Sequence, residues 1–300
     1  MSTVNSVCER EPIENRPMST GGALEKLDTF FGRFAPASVA LLLLDYDGTL
    51  APFRVDRFQA RPWAGVRDLL NRIQGQKKTR IVVVSGRPAG EIPRLLDLDM
   101  PPEVWGLHGA ERLYPDGRRE LETIAAVAHT ALEEVSARLR QNAFGGLFEG
   151  KPNAAVMHWR GIAPEKAREI EKRTRALFEP LTRIEGLALL QFECGLELRA
   201  GRDKGGAVKA ILHEMATGGP TNFPAAYLGD DFTDEMAFAA LKGRGLSVLV
   251  RHEWRETVAD VWLKPPQELR EFLRLWIEAL EKNLKNHTYS AHSSRRDGGK

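Results

Sequence analysis

The stretch LLLLDYDGTLAP, residues 41–52, ends a run of four leucines on Asp45 and Asp47. Two carboxylates at the end of an apolar strand repel each other and lose part of their hydration, a cost that persists only where a cation or a reaction uses them. The bland alternative is a turn, because Asp, Gly and Thr commonly follow strands. Asp45 lies tight against the leucines, which favours the sharper reading: a carboxylate nucleophile beside a second carboxylate that works as acid and base. Such a nucleophile attacks phosphorus to form an acyl phosphate and divides one hard displacement into two easier ones. Gly48 would let the backbone approach the anion, and Thr49 could donate a hydrogen bond to it.

Outward from this strand the chain repeats the pattern. ALLLLD, RIVVVS, EVWGLH, AAYLGD and LSVLV are short and apolar, most of them running into Gly, Ser or Asp. Continuous apolar runs suit the buried strands of a parallel sheet. Helical stretches such as WAGVRDLLNRIQ and DKGGAVKAILHEM lie between them, so the spacing predicts an α/β layer architecture with ligands at the carboxyl ends of the strands. The middle breaks the rhythm. There a helix (TIAAVAHTALEEVSARLRQ), the stretch GLFEGKPNAAVMHWR, a second helix (PEKAREIEKRTRALFEP) and LALLQFECGLELR carry charges inside their strands, as in a small sheet with one solvent-facing side. The expected division is a core of residues 23–120 and 199–285, an inserted α+β domain at 121–198, and flexible tails at 1–22 and 286–300.

Composition narrows the class. At 300 residues, 42% hydrophobic and 28% charged, the chain can bury an ample core, and Lys+Arg 43 against Asp+Glu 41 leaves only +2. That balance suggests neither nucleic acid nor a membrane surface as partner. Cys8 and Cys194 make no disulfide framework or metal-ligand spacing, and neither a transmembrane run nor a signal-peptide core is present, so a cytoplasmic setting is expected.

The remaining polar clusters also fall just after predicted core strands. Asp230 and Asp231 follow AAYLG, in YLGDDFTDEMAF; Thr233 there is a plausible helix N-cap, with Asp234 and Glu235 suiting the first turn. Capping does not explain two adjacent aspartates at a strand end facing the same edge as Asp45, and hard oxygen ligands without His or Cys point to Mg²⁺. Singly, VVVSGRP fits a strand-to-helix turn with Pro88 at the helix start, and DKGGAV fits a helix opened by Asp203, as well as they fit a functional role. Together they supply a hydroxyl donor, Ser85, and a positive charge, Lys204, for phosphoryl oxygens.

DYDGTL, a serine after the second strand, a lysine before a helix and GDDFTDE resemble the four motifs of haloacid-dehalogenase-type phosphatases, in the family's order. DYDGTLAP, SGRP, GLHGAE, EGKPNAAVMHWR, LELR with DKGGAV, and YLGDDFTDEMAF narrow the likeness to its trehalose-6-phosphate phosphatase branch, from about Ala40 to Phe272. The resemblance implies a Rossmann-like core with a mobile cap inserted between the second and third motifs, and Mg²⁺-dependent hydrolysis of a sugar phosphate through an aspartyl phosphate. It implies Asp45 as nucleophile, Asp47 as general acid and base, and Thr49, Ser85 and Lys204 as phosphate contacts. Mg²⁺ would be held by Asp45, the backbone carbonyl of Asp47 and Asp230, with Asp234 close by. In the cap, Glu149, Lys151 and Glu197 would grip sugar hydroxyls, and Arg87, His108 and Glu111 would lie near the substrate at the core–cap seam. On the residues alone, Glu149 and Lys151 read as an ordinary solvated pair sharing a strand face, His158 as structural and Cys194 as a buried small residue. Ala200 after ELR and Arg251-His252 after LSVLV depart from the family's usual proline and glycine. Rival readings are a phosphatase for sucrose-, glucosylglycerol- or mannosylglycerate-type phosphates, and a silent regulatory module that binds a trehalose-phosphate synthase. The partner expected first is the small sugar phosphate itself, and the oligomeric state is left open.

Overall fold

A computed structural model describes residues 21–293 apart from 36, 55, 142–143, 193 and 220–221. The five apolar runs become β1 (Ala40–Leu44), β2 (Thr79–Val84), β3 (Glu103–Gly106), β10 (Ala225–Gly229) and β11 (Leu246–Val250). They lie in one sheet of order β12-β11-β10-β1-β2-β3-β4-β5, in which β4 (Glu111–Leu113), β5 (Arg119–Leu121) and β12 (Val261–Leu263) are additional short strands. The strands from β12 to β3 run parallel, and β4 and β5 add antiparallel. The leucines of β1 explain the layering. Leu42 and Leu44 enter one apolar cluster with α1 (Gly21–Gly32), α2 (Val66–Gly75), α3 (Ile92–Leu96) and α8 (Gln267–Ser293). Leu41 and Leu43 face the opposite cluster, with α6 (Lys204–Gly218) and α7 (Glu235–Leu241). A strand buried on both faces has no polar alternation to show, which is why it reads as an unbroken apolar run.

The chain leaves β1 toward β2 on one side and returns to β10 on the other. That reversal opens a crevice at the carboxyl ends of β1, β2 and β10, where open α/β sheets hold ligands.

The insertion forms a separate four-stranded antiparallel sheet, β6 (Phe148–Lys151), β7 (Ala154–His158), β9 (Gly195–Ala200) and β8 (Leu187–Phe192) in that order. One face packs Ala155, Met157, Leu196 and Leu198 against α4 (Ala126–Arg140) and α5 (Pro164–Phe178). The register aligns Glu149, Val156 and Glu197 across the other face. Where the chain crosses between units, the Glu122 carboxylate accepts the Arg202 N–H at 2.6 Å, and the Glu122 N–H donates to the Ala110 carbonyl at 2.7 Å. The cap sheet reaches Ala200, past the expected limit at Leu198, because β9 stays paired with β7 and β8 to that point.

Helix α8 corrects the expected C-terminal tail, since it continues to Ser293; between Gln267 and Ser293 no Gly or Pro stops it. The expected N-terminal tail lies outside the described residues up to 20, and α1 begins at Gly21. Helix α1 and the turn that follows it join α8 through rings: Phe31 of α1 lies 5.5 Å from Phe272 between centroids, and Phe34, just past α1, meets Trp276 edge-on at 4.9 Å. The Trp276 indole N–H donates to Thr79 Oγ1 at 3.1 Å, tying α8 to the start of β2. Truncating this fully buried ring should open a cavity, so Trp276→Ala is expected to destabilise the fold by about 3–5 kcal/mol in urea unfolding. A loss under about 1 kcal/mol would mean that α8 is not anchored through the ring.

Candidate active site

Asp45 continues the ladder of β1, its N–H donating to the Leu228 carbonyl at 2.8 Å, so its position is set by the sheet. Its carboxylate meets Lys204, the first residue of α6, whose Nζ donates to Asp45 Oδ1 at 2.7 Å and to Asp234 Oδ1 at 2.8 Å. Asp203 caps α6 by accepting the Gly206 N–H at 2.6 Å, which fixes where Lys204 enters the crevice. Thr49 Oγ1 donates to Asp45 Oδ2 at 3.1 Å. Asp234 is saturated: Tyr227 OH and Lys204 occupy Oδ1, and the N–H groups of Asp230 and Asp231 donate to Oδ2 at 3.0 Å each. The N-cap of the turn at Phe232–Asp234 is Asp231, not Thr233, in a capping box with Asp234. Gly48 sits at φ +85°, and a Cβ there would collide with the Asp230 carboxylate.

Asp45, Asp230 and Asp234 are buried, and each places an oxygen within 4.8 Å of the others. Burial pushes the Asp45 carboxyl up; Lys204 pulls it back and Asp234 raises it again, leaving it at about 7. Burial, then the charges of Asp45 and Asp234, raises Asp230 well above the ordinary carboxylate range. For Lys204 burial opposes the charge, but Asp234 and Asp45 outweigh it and hold the ammonium above its usual value. Asp230 Oδ1 is buried without a hydrogen-bond partner. An orphaned carboxylate oxygen beside a second carboxylate fits a hard divalent cation held by oxygen donors. Asp45 and Asp230 could bind it, whereas Asp234 has its oxygens committed to Lys204, Tyr227 and two amides.

Asp47 turns to the other side, where Arg87 Nε and Nη2 donate to its two oxygens at 2.6 and 2.7 Å. Above these groups lies a cavity of about 390 Å³ that brings together Asp45, Asp47, Ser85, Arg87, His108, Lys204 and Asp230 from the core with Glu149, Lys151, His158 and Glu197 from the cap. On the cap side Lys151 Nζ donates to Glu197 Oε2 at 3.3 Å and to the Gly86 carbonyl at 3.2 Å. His108 Nε2 lies 3.4 Å from the same Glu197 oxygen. Burial would raise Glu197, but Lys151 and His108 more than offset it and hold the carboxyl well below its usual range. Burial lowers His108 despite Glu197. Glu149 is held down at about 2, first by its hydrogen bond with His158.

Two expected contacts are not at the cavity wall. Thr49 is buried beneath Asp45 and its hydroxyl is directed at that carboxylate. Glu111 accepts the Ala89 N–H at 2.6 Å and pairs with Arg119, so it shapes the turn after Arg87 from below. Cys194 is half-buried with a free thiol and lines the cavity, as does His158. Sequence reasoning missed Arg57, Phe53 and Arg160, which line the cavity, as well as Tyr227 and Arg255. The Arg255 guanidinium donates to the carbonyls of Asp230 and Asp231 at 3.3 and 2.7 Å and also pairs with Glu235, so it holds the acidic loop in place. A lone tyrosine in the apolar run AAYLG was the one available signal for Tyr227. Arg251 and His252 border a second cavity of about 260 Å³, where His252 meets Trp63 edge-on at 5.9 Å.

A haloacid dehalogenase-like hydrolase from B. subtilis has the same fold, with a TM-score of 0.53 at 19% identity over 79% of this chain and 99% of that one. The trehalose-6-phosphate phosphatase C-terminal domain of C. albicans matches more fully, with a TM-score of 0.69 at 21% identity over 85% of this chain and 96% of that one. The architecture is therefore that of the haloacid-dehalogenase-like hydrolases. Within that class, the sequence profile of the trehalose-phosphatase family matches residues 43–261, and a trehalose-phosphate phosphatase of Mycobacterium avium (strain 104) is 31% identical over 276 residues, 88% of this chain. The chain belongs to the trehalose-phosphatase family, and it spans 66% of the length of that relative.

A proton on Asp45 stabilises the metal-free fold at low pH, because its folded pKa is raised; that contribution is lost as pH rises through about 7. A divalent cation held by Asp45 would have to displace this proton. Added Mg²⁺ is thus expected to raise the thermal unfolding midpoint strongly at about pH 8 and little at about pH 5, with affinity falling up to about tenfold per unit between them for one proton displaced. Equal shifts at both pH values would exclude Asp45 from the cation site.

Proposed function

We propose that this chain is a Mg²⁺-dependent phosphatase that hydrolyses trehalose 6-phosphate to trehalose and phosphate through an aspartyl phosphate on Asp45. The observation that carries the reading is the shared cavity: Asp45, Asp47, Ser85 and Lys204 line one end, and Glu149, Lys151 and Glu197 of the cap line the other. Asp45 attacks phosphorus while Asp47 gives a proton to the departing sugar oxygen; Asp47 then takes a proton from the water that cleaves the acyl phosphate, releasing phosphate. Ser85 donates to a phosphoryl oxygen, and Lys204 supplies the positive charge beside the nucleophile. Arg87 orients Asp47 by gripping both its oxygens, and one of these two contacts must open for Asp47 to carry the proton it gives. Asp45, Asp230 and the backbone carbonyl of Asp47 would hold Mg²⁺, which when bound draws charge from the phosphoryl oxygens and lets an anionic substrate approach two carboxylates. The sugar is selected in the cap, where buried polar groups left unpaired penalise the wrong ligand. A cytoplasmic setting accords with the free Cys194 thiol; among the described residues no helix is long and apolar enough to cross a membrane.

Phosphate release from a panel of sugar phosphates should be fastest with trehalose 6-phosphate, cease with a strong chelator and return with Mg²⁺. Asp45→Asn keeps the shape but removes the attacking charge, so turnover should fall at least about a thousandfold. A folded Asp45→Asn protein that retains turnover would sink the mechanism. Glu149→Ala, Lys151→Ala and Glu197→Ala should each lower kcat/KM for trehalose 6-phosphate by about ten- to a thousandfold, and turnover of p-nitrophenyl phosphate much less. Equal loss of both activities would make these residues supports of the cap's docking, not sugar contacts.

A further inference from the structure

A continuous path of ion pairs crosses from the reacting end of the site to the cap. It starts at Asp47, gripped by Arg87, whose Nη1 lies 3.4 Å from Glu91 Oε2. Arg57 Nε and Nη2 then donate to the two Glu91 oxygens at 3.3 and 2.5 Å. The remaining Arg57 Nη1 reaches across the seam and donates to Glu149 Oε1 at 2.7 Å, while His158 Nε2 meets Glu149 Oε2 at 2.9 Å. The charges alternate in sign from Asp47 to Glu149, and Arg57 is where this path crosses between the two units, beside the Lys151–Gly86 and His108–Glu197 contacts.

Local structure aims this arginine. Asp56 caps the short turn Arg57–Gln59, accepting the Phe58 N–H at 3.0 Å, and so sets the direction in which the Arg57 side chain leaves the loop after β1. The planar guanidinium bridges two carboxylates that would otherwise repel, one from the core and one from the cap. A fork of fixed geometry does this better than a point charge. As an exposed ion pair it would contribute little to stability, because Arg57 is 36% and Glu149 30% exposed. Its importance lies in where it puts Glu149: the carboxylate that faces the sugar end of the cavity is registered from the core, not from the cap alone.

We propose that Arg57 is a positioning residue for sugar recognition, holding the cap in register with the core through Glu149 before substrate arrives. The proposal rests on the reading of Glu149 as a sugar contact, and its test is arranged so that the two can fail separately. In the 300-residue chain, Arg57→Ala should lower the ratio of kcat/KM for trehalose 6-phosphate over that for p-nitrophenyl phosphate by about tenfold, chiefly through KM. Arg57→Lys should recover part of that ratio. Glu149→Ala should cost much less in the Arg57→Ala background than alone, because the two act as one unit. Without any substrate, small-angle scattering should give a larger radius of gyration for Arg57→Ala than for the parent, with the thermal midpoint nearly unchanged. An unchanged selectivity ratio, a fall shared equally by both substrates, or an unchanged scattering profile would each overturn the proposal. A parent protein inactive on trehalose 6-phosphate but active on p-nitrophenyl phosphate would overturn the substrate assignment alone, and the scattering comparison would still decide the role of Arg57.

Discussion

The buried ammonium of Lys204, wedged between Asp45 and Asp234, is the contact on which the rest of the molecule turns. Three carboxylates gathered at strand ends cannot stay together in a low dielectric without positive charge, and removing the partner of a buried charge costs several kcal/mol, on the order of 3–5. The lysine must therefore arrive at that point each time the chain folds. It does so because α6 begins there, capped by Asp203, immediately after the chain returns from the cap. The insertion, the sheet order and the chemistry are thus joined at one side chain. A divalent cation would complete the neutralisation that a single ammonium leaves unfinished.

Much of this was legible in the sequence, and for a physical reason. Strands buried on both faces print unbroken apolar runs, and acids placed at their ends stand out against leucine, as Asp45 does after Leu44 and Asp230 after the run ending at Gly229. Weaker signals failed where geometry, not composition, decides. Strand β12 is three residues long, too short for any period to show. Thr49 was expected at the phosphate because its hydroxyl can donate, and Glu111 near the substrate because the family resemblance implies it; composition could not show that their side chains turn to Asp45 and to the Ala89 amide. Arg57 and Arg255 sit in irregular loops whose sequence carries no period, and only the folded chain reveals which carboxylates and carbonyls they meet. The helical reach of α8 was underestimated because polar composition near a terminus looks like a tail, although nothing in it breaks a helix.

The inward face of the cap is charged yet matched, partly from within and partly by core residues. Lys151 and His108 meet at Glu197, and Arg57 and His158 meet at Glu149. A sugar-recognition surface built in this way, as proposed above, would be kept ready without leaving ions unpaired, since each carboxylate would trade one protein donor for a ligand hydroxyl. Gly86 belongs to the same design: a Cβ there would run into the His108 ring, so the close approach of the two loops depends on its absence.

Glu122 has a consequence of a different kind. It pins the outgoing chain to Ala110 and the returning chain to its own carboxylate through Arg202, so both crossings are gathered at one narrow waist. An excursion of some eighty residues (122–201) whose two ends are stapled side by side behaves as an exchangeable cassette. No strand of the large sheet lies within it, so lengthening, trimming or replacing it would leave that sheet's hydrogen-bond ladder unbroken. The half that carries Asp45 and Lys204 could in this way stay as it is while successive lids, grafted at the same two joints, present new surfaces to the same crevice.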